Sequence, residues 1–333
     1  MDAQQAEELA YRYAPVFAQK ITDEWALADQ IAPVDLAGAL TEVAKNPDRL
    51  EELENQGITE LDAVVYYGVC ETPTHYFLTY AVYHVLDWWK RYSVETLYDL
   101  IRDRLDEHVH DFEGALLVVT KEPSELVDAV VTVAHHNFYL YTEPRVPSSV
   151  GSSRPAHTQK NLRIVKFNET VDGSIWLDFY TRRVKLYIQS KGHGMRGDQK
   201  SWGGGNRTWY YIPGLETRKA GTIDNKAKPE SAVKSYRLES LFKAGGLWDH
   251  RFHPRTFKQN KDGCWGLVCY KGPKKNQYIG GAANPPWSWN DHNDTSPIGE
   301  LVTDPARFII RYAQGWGPVS TQYVFNPFQG IGT

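Results

Sequence analysis

Residues 63–89 read AVVYYGVCETPTHYFLTYAVYHVLDWW. β-Branched and aromatic side chains fill both halves, and ETPT between them has the composition of a turn. The stretch predicts two antiparallel strands. In the second, Tyr76, Leu78, Tyr80, Val82 and His84 share one face, because side chains alternate along an extended chain. Asp87 closes that strand. His84, at the end of so apolar a row, reads first as a packed core histidine.

The same signal continues downstream. FEGALLVVT (112–120) and LVDAVVTVAHHNFYLYT (126–142) predict further antiparallel strands, as do RIVKFNE (163–169) and SIWLDFYTRRVKLYIQS (174–190). SVETLYDLIRDRLDEH predicts an amphipathic helix over 93–107, inserted after the first hairpin. PRVPSSVGSSRPAHTQKN (144–161) reads as an exposed loop. Upstream, AQQAEELAYRYAPVF has helical spacing that stops at Pro15. Residues 33–57 read as two short helices, with Asp35 and Asn46 near their starts. Beyond Gly192 the chain reads as long loops, a few strands and short helices such as AVKSYRLESLFKAG (232–245). The expected architecture is mainly β: an antiparallel sandwich over residues 61–333, with an inserted helix and a long irregular C-terminal lobe, behind a helical N-terminal cover over 1–60.

Composition narrows the function. The chain has 333 residues, 41% of them hydrophobic and 23% charged, which is globular usage. A net charge of −4 gives no general basis for nucleic-acid binding, which needs cations to neutralise phosphate. Three cysteines, Cys70, Cys264 and Cys269, are too few for a disulfide framework, although the last two are close enough in sequence to pair. No stretch approaches the ~20 apolar residues of a membrane-spanning helix. The N-terminus lacks a basic start followed by an apolar run, so a cytoplasmic location is expected before a secreted one. Peripheral membrane contact stays open.

EHVHDFEGALLVV (107–119) carries the chemistry. Asp111 and Glu113 are two apart, so they point to one face of a strand and His110 to the other. His108 precedes them. Asp87, His135 and His136 in VAHHNF, and His193 in KGHGM all fall near predicted strand ends. A carboxylate-rich set with one imidazole suits a hard or borderline cation: Ca, Mg or Mn ahead of Zn. Taken singly, each group also reads as a solvated strand mouth or a hydrogen-bonded histidine.

LAYRYAPVFAQ followed by DEWALADQIAPVDL resembles the opening of vacuolar-protein-sorting-62-type proteins. In that type an aromatic strand ending in Asp, a His-x-x-Asp-x-Glu segment and a Gly-x-His turn follow; here these are Asp87, His108 to Glu113, and Gly192-His193. The middle element also resembles the heptapeptide region of necrosis- and ethylene-inducing-peptide-like proteins, with Glu107 in place of glycine and Phe112 in place of tryptophan. The resemblance implies a β-sandwich and a divalent cation held by Asp87, His108, Asp111 and Glu113.

Three functions follow as expectations. The first is a metal-assisted hydrolase of an ester or phosphoester, with His135 or His136 as general base and His193 completing the pocket. The second is a cation-dependent glycolipid-binding or membrane-damaging protein. Its partner would be a small molecule or lipid headgroup, with Trp287 and Trp289 of NPPWSWNDHND stacking on sugar; the plainer reading of those rings is that they clamp a loop. The third is a trafficking adaptor without chemistry.

Overall fold

The computed structural model describes residues 1–88, 108–123, 125–135, 137–145, 171–197, 207–214, 232–253, 270–271, 278–279, 284–291, 296–312 and 318–332. The expected helix 93–107, the strand 163–169, His136, Cys264, Cys269 and nearly all of the loop 144–161 lie outside these residues.

The opening hairpin forms as its sequence dictates. Strand β2 (Val64–Glu71) pairs antiparallel with β3 (His75–Asp87), Val65 opposite Val82 and Cys70 opposite Phe77. β4 (His108–Thr120) lies antiparallel on the other side of β3, with His84 opposite Asp111 and Asp87 opposite His108. β5 (Leu126–Ala134) and β6 (Asn137–Arg145) continue the meander. The run expected as one strand over 126–142 is therefore a hairpin. His135 turns the chain at φ 50°, a left-handed conformation that ends a strand.

The rest of the sheet comes from distant segments. Strands β1 (Val16–Ile21), β7 (Gly173–Trp176), β8 (Lys185–Ile188), β9 (Met195–Arg196), β10 (Arg207–Pro213) and β11 (Ala232–Ser240) complete an eleven-stranded sheet. Its order is β7-β6-β5-β4-β3-β2-β11-β10-β1-β8-β9. The sheet is mixed: β1 with β8, β10 with β11, β11 with β2 and β6 with β7 are parallel pairs. Two short strands, β12 (Tyr270–Lys271) and β13 (Tyr278–Ile279), pair separately.

Two sequence expectations are corrected here. Residues 232–240, expected helical, form a central strand, because hydrogen-bonding partners on both sides outweigh the helix preference of Lys, Arg, Leu and Glu. Residues 16–21, placed in the helical cover, lie inside the sheet between β10 and β8. The expected irregular C-terminal lobe thus supplies two strands near the middle of the sheet.

The sheet curls on itself. A bridge between Leu177 and Val184 links its β7 edge to β8, and β9 packs across β4 and β5. Inside the curl lie Phe17, Val65, Tyr67, Leu78, Tyr80, Val82, Ala115 and Leu117. Outside, Tyr66, Phe77, Tyr83, Phe112 and Leu116 are covered by residues 25–50 and by helices near the C-terminus. Helix α1 (Ala3–Tyr13) is closed at its start by a capping box between Asp2 and Gln5 and buries Ala6, Leu9 and Ala10 on the inner core. Helix α2 (Asn46–Asn55), α3 (Glu300–Thr303) and α4 (Pro305–Tyr312) pack on the outer face. Among the described residues no helix is long and apolar enough to cross a membrane.

Candidate metal centre

The alternation that buries Val82 on the inner face also puts His84 there, one step nearer the strand end. On β4 the inner residues are Asp111, Glu113, Ala115 and Leu117, so two carboxylates follow the apolar row out to its mouth. Opposite them, the turn after β8 folds inward and delivers His193 at φ 47°. His84, Asp111 and His193 are all buried and each offers one ligand atom within 4.8 Å of the others.

Each group is held by named partners. His84 Nε2 meets Gln19 Oε1 of β1 at 3.0 Å, and its Nδ1 is buried without a partner. His193 Nδ1 lies 3.2 Å from Asp111 Oδ2, and its Nε2 lies 3.5 Å from Asp29 Oδ1. The two imidazoles stack, centroids 3.8 Å apart and planes within 4°. Asp29, fully buried, accepts from the Thr22 N–H at 2.7 Å, the Thr22 hydroxyl at 2.8 Å, Trp88 Nε1 at 3.1 Å and the Lys191 N–H at 2.8 Å. Glu113 Oε1 accepts the His135 N–H at 3.2 Å, while its Oε2 is buried without a partner.

Burial and charge set the protonation. Burial pushes His84 well below its usual range, reinforced by His193, so His84 is neutral. Burial also acts downward on His193, but hydrogen bonds and charge from Asp111 and Asp29 outweigh it and lift the ring to about 9. Burial, then the charge of Asp111, pushes Glu113 well above the carboxylate range.

The expected residues divide. Asp111 belongs to the converging group. Glu113 is its neighbour along β4. Asp87 is half-buried beside the His193 turn: a Cβ added at Gly192 would stand 3.6 Å from Asp87 Oδ1. The backbone of His108 pairs with Asp87; its side chain is outside the described residues. His193, expected to complete a catalytic pocket, sits among the candidate ligands. His135, expected as a base, is exposed at the rim, with Nε2 at 2.8 Å from Gln189 Oε1. Its ring fills the space beside Gly192 and Gly194, where an added Cβ would come within 2.7 and 2.8 Å of it. His110 points to the other face, as its position predicts, with Nδ1 2.6 Å from the Tyr83 hydroxyl.

Gln19 and Asp29 escaped the sequence reading. Neither carries a motif, and both act through segments that meet only when the sheet curls. His84 did carry a signal, as the last inner-face residue of its strand directly opposite Asp111. Trp289 is buried and donates to the Phe112 carbonyl at 3.2 Å, and Trp287 packs edge-on to Trp248. Burial removes Trp289 from the sugar-stacking expectation, while Trp287 is half-buried beside Trp248.

No family model matches the chain, and no curated protein matches it. Solved structures that overlay on part of it include necrosis and ethylene inducing protein 2 from the causal agent of cocoa's witches' broom disease, at 17% identity over 42% of this chain and 48% of that one, TM-score 0.24. A structure described as a toxin fold for microbial attack and plant defense overlays at 16% identity over 61% and 72%, TM-score 0.31. NLPPya in complex with glucosamine overlays at 16% identity over 42% and 46%, TM-score 0.23. The chain thus spans about half the length of the first and third. These overlays are partial and of low score, and nothing in them bears on the vacuolar-protein-sorting-62 likeness of the N-terminal segment.

Proposed function

We propose that this chain is a divalent-cation-dependent binding protein that captures the sugar headgroup of a membrane lipid. The observation that carries the cation is the buried convergence of His84, Asp111 and His193, with an orphaned nitrogen on His84. Buried polar atoms without partners are rare, and a missing ion is a standard reason for one. Three protein donors leave coordination positions for hydroxyl oxygens. The half-buried Asp87 and exposed His135 mark the side from which a ligand enters. The headgroup is supported by the heptapeptide resemblance of residues 107–113. Hydrolysis is less well supported: of its two candidate bases only His135 is described, with Nε2 on Gln189 and its ring packed beside two glycines.

The test pairs dye release from vesicles carrying sugar-headgroup lipids with turnover of generic carboxylate and phosphate esters, each with and without chelator. Chelator-sensitive binding or leakage without turnover is the expected result. Chelator-sensitive turnover would replace this reading with the hydrolase. Indifference to chelator in both assays would end both.

A further inference from the structure

Gln19 fixes which nitrogen of His84 carries the proton. Its side-chain amide donates to the Gln189 carbonyl at 2.9 Å and the Lys20 carbonyl at 3.2 Å. Both partners only accept, so the NH2 group must face them and Oε1 must face His84. An oxygen acceptor 3.0 Å from Nε2 requires the hydrogen there. Neutral His84 therefore keeps a bare lone pair on Nδ1, which is the buried atom without a partner. On the second ring, the Asp29 carboxylate stands on the Nε2 side and Nδ1 turns toward Asp111, so an entering ion would have to displace the proton that Nδ1 carries. A carboxylate or amide behind an imidazole, selecting its tautomer, is what surrounds a histidine that ligates a metal.

From this geometry we infer that the cation site selects a nitrogen-accepting transition ion, of the zinc or cobalt kind, over calcium or magnesium. The inference rests on the cation reading above and goes beyond it. Calcium takes six to eight oxygens and magnesium keeps mostly oxygens and water. Two imidazoles with one carboxylate match the borderline ions instead. The carboxylate-rich set expected from the sequence pointed to Ca, Mg or Mn because it counted one imidazole.

The stacked rings add a step. An ion shared between parallel rings would lie out of both planes, so one ring must rotate as the ion enters. His84 is fixed in mid-sheet by Gln19. His193 sits on a turn rather than in the sheet, and it is the ring expected to reorient on binding.

The experiment starts from the full chain stripped with chelator. Calorimetric titrations with Zn, Co, Mn, Ca and Mg ions are compared, and the visible spectrum of the Co-loaded protein is recorded. Zn and Co are expected to bind roughly 100-fold or more tighter than Ca and Mg. Nitrogen NMR of the stripped protein is expected to show the Nε2–H tautomer at His84. Gln19→Leu is expected to weaken Co binding about 10- to 100-fold and alter its spectrum. Thermal melts check that the variant is folded. Tighter binding of Ca or Mg, or an Nδ1–H tautomer, overturns the inference while leaving the cation reading standing. Binding of no cation at all removes both.

Discussion

Asp29→Ala is expected to be among the most damaging single substitutions in the protein. The carboxylate joins residue 22, residue 88 and the turn at 191–193, beside the backbone hydrogen bond from Trp88 to the Lys191 carbonyl and the pairing of β1 with β8. Its removal leaves the Thr22 N–H, the Trp88 indole N–H and the Lys191 N–H without acceptors, while the Thr22 hydroxyl can rotate elsewhere. A buried donor left unsatisfied costs about 1–3 kcal/mol. Lys191 is only half-buried, so water recovers part of its share, and the expected loss is about 4 kcal/mol. Asp29→Asn keeps the shape but turns one acceptor into a donor facing other donors, and about 2 kcal/mol is expected. The assay is urea unfolding followed by tryptophan fluorescence, in chelator so that ion binding does not contribute. A loss below about 1 kcal/mol for Asp29→Ala, at unchanged m-value, would refute the view that this carboxylate holds the site together.

Further outcomes are expected elsewhere. Gly114→Ala should destabilise by about 2–3 kcal/mol, since its Cβ would stand 2.3 Å from the Tyr80 carbonyl and 2.4 Å from the Trp289 ring; a shifted tryptophan emission in the folded state would accompany it. Tyr236→Phe should cost about 1–2 kcal/mol in chemical denaturation, because the hydroxyl donates at 2.7 Å to the buried Pro15 carbonyl. Burial holds His75 below its usual 6.5. The unfolded chain then takes up that proton first, so the stabilisation is present above about pH 6.5 and fades as pH falls through that range. Urea midpoints compared between about pH 7.5 and pH 5 should drop further for the wild type than for His75→Gln.

The meander was legible because each of its strands alternates, and because its partners are the next segments along the chain. Val65, Val82 and Leu117 announce their face without help from elsewhere. β1 and β11 were not legible. VFAQKI is short and follows a helix, and AVKSYRLES mixes helix formers with a single fully buried residue, Tyr236. Their strand character comes from neighbours nearly two hundred residues away or on parallel pairings that no local pattern records. The site divides the same way. Asp111 and Glu113 follow from period two on β4. The use of His84 and His193 together follows from the curl, and Gln19 and Asp29 only from the side chains they touch.

The order of strands also governs how the chain emerges from the ribosome. Strands β2 to β6 are made consecutively and can pair as they appear. β1 is made before any of them, yet Ile21 must wait for Arg207. At bacterial or eukaryotic elongation speeds that delay is about 10–40 s. Through most of that interval, until Leu186 appears, Phe17 has no partner strand, and the nascent N-terminus is a natural client for a chaperone. The ion pocket inherits the same delay, since Gln19 and His84 are synthesised long before His193 can meet them.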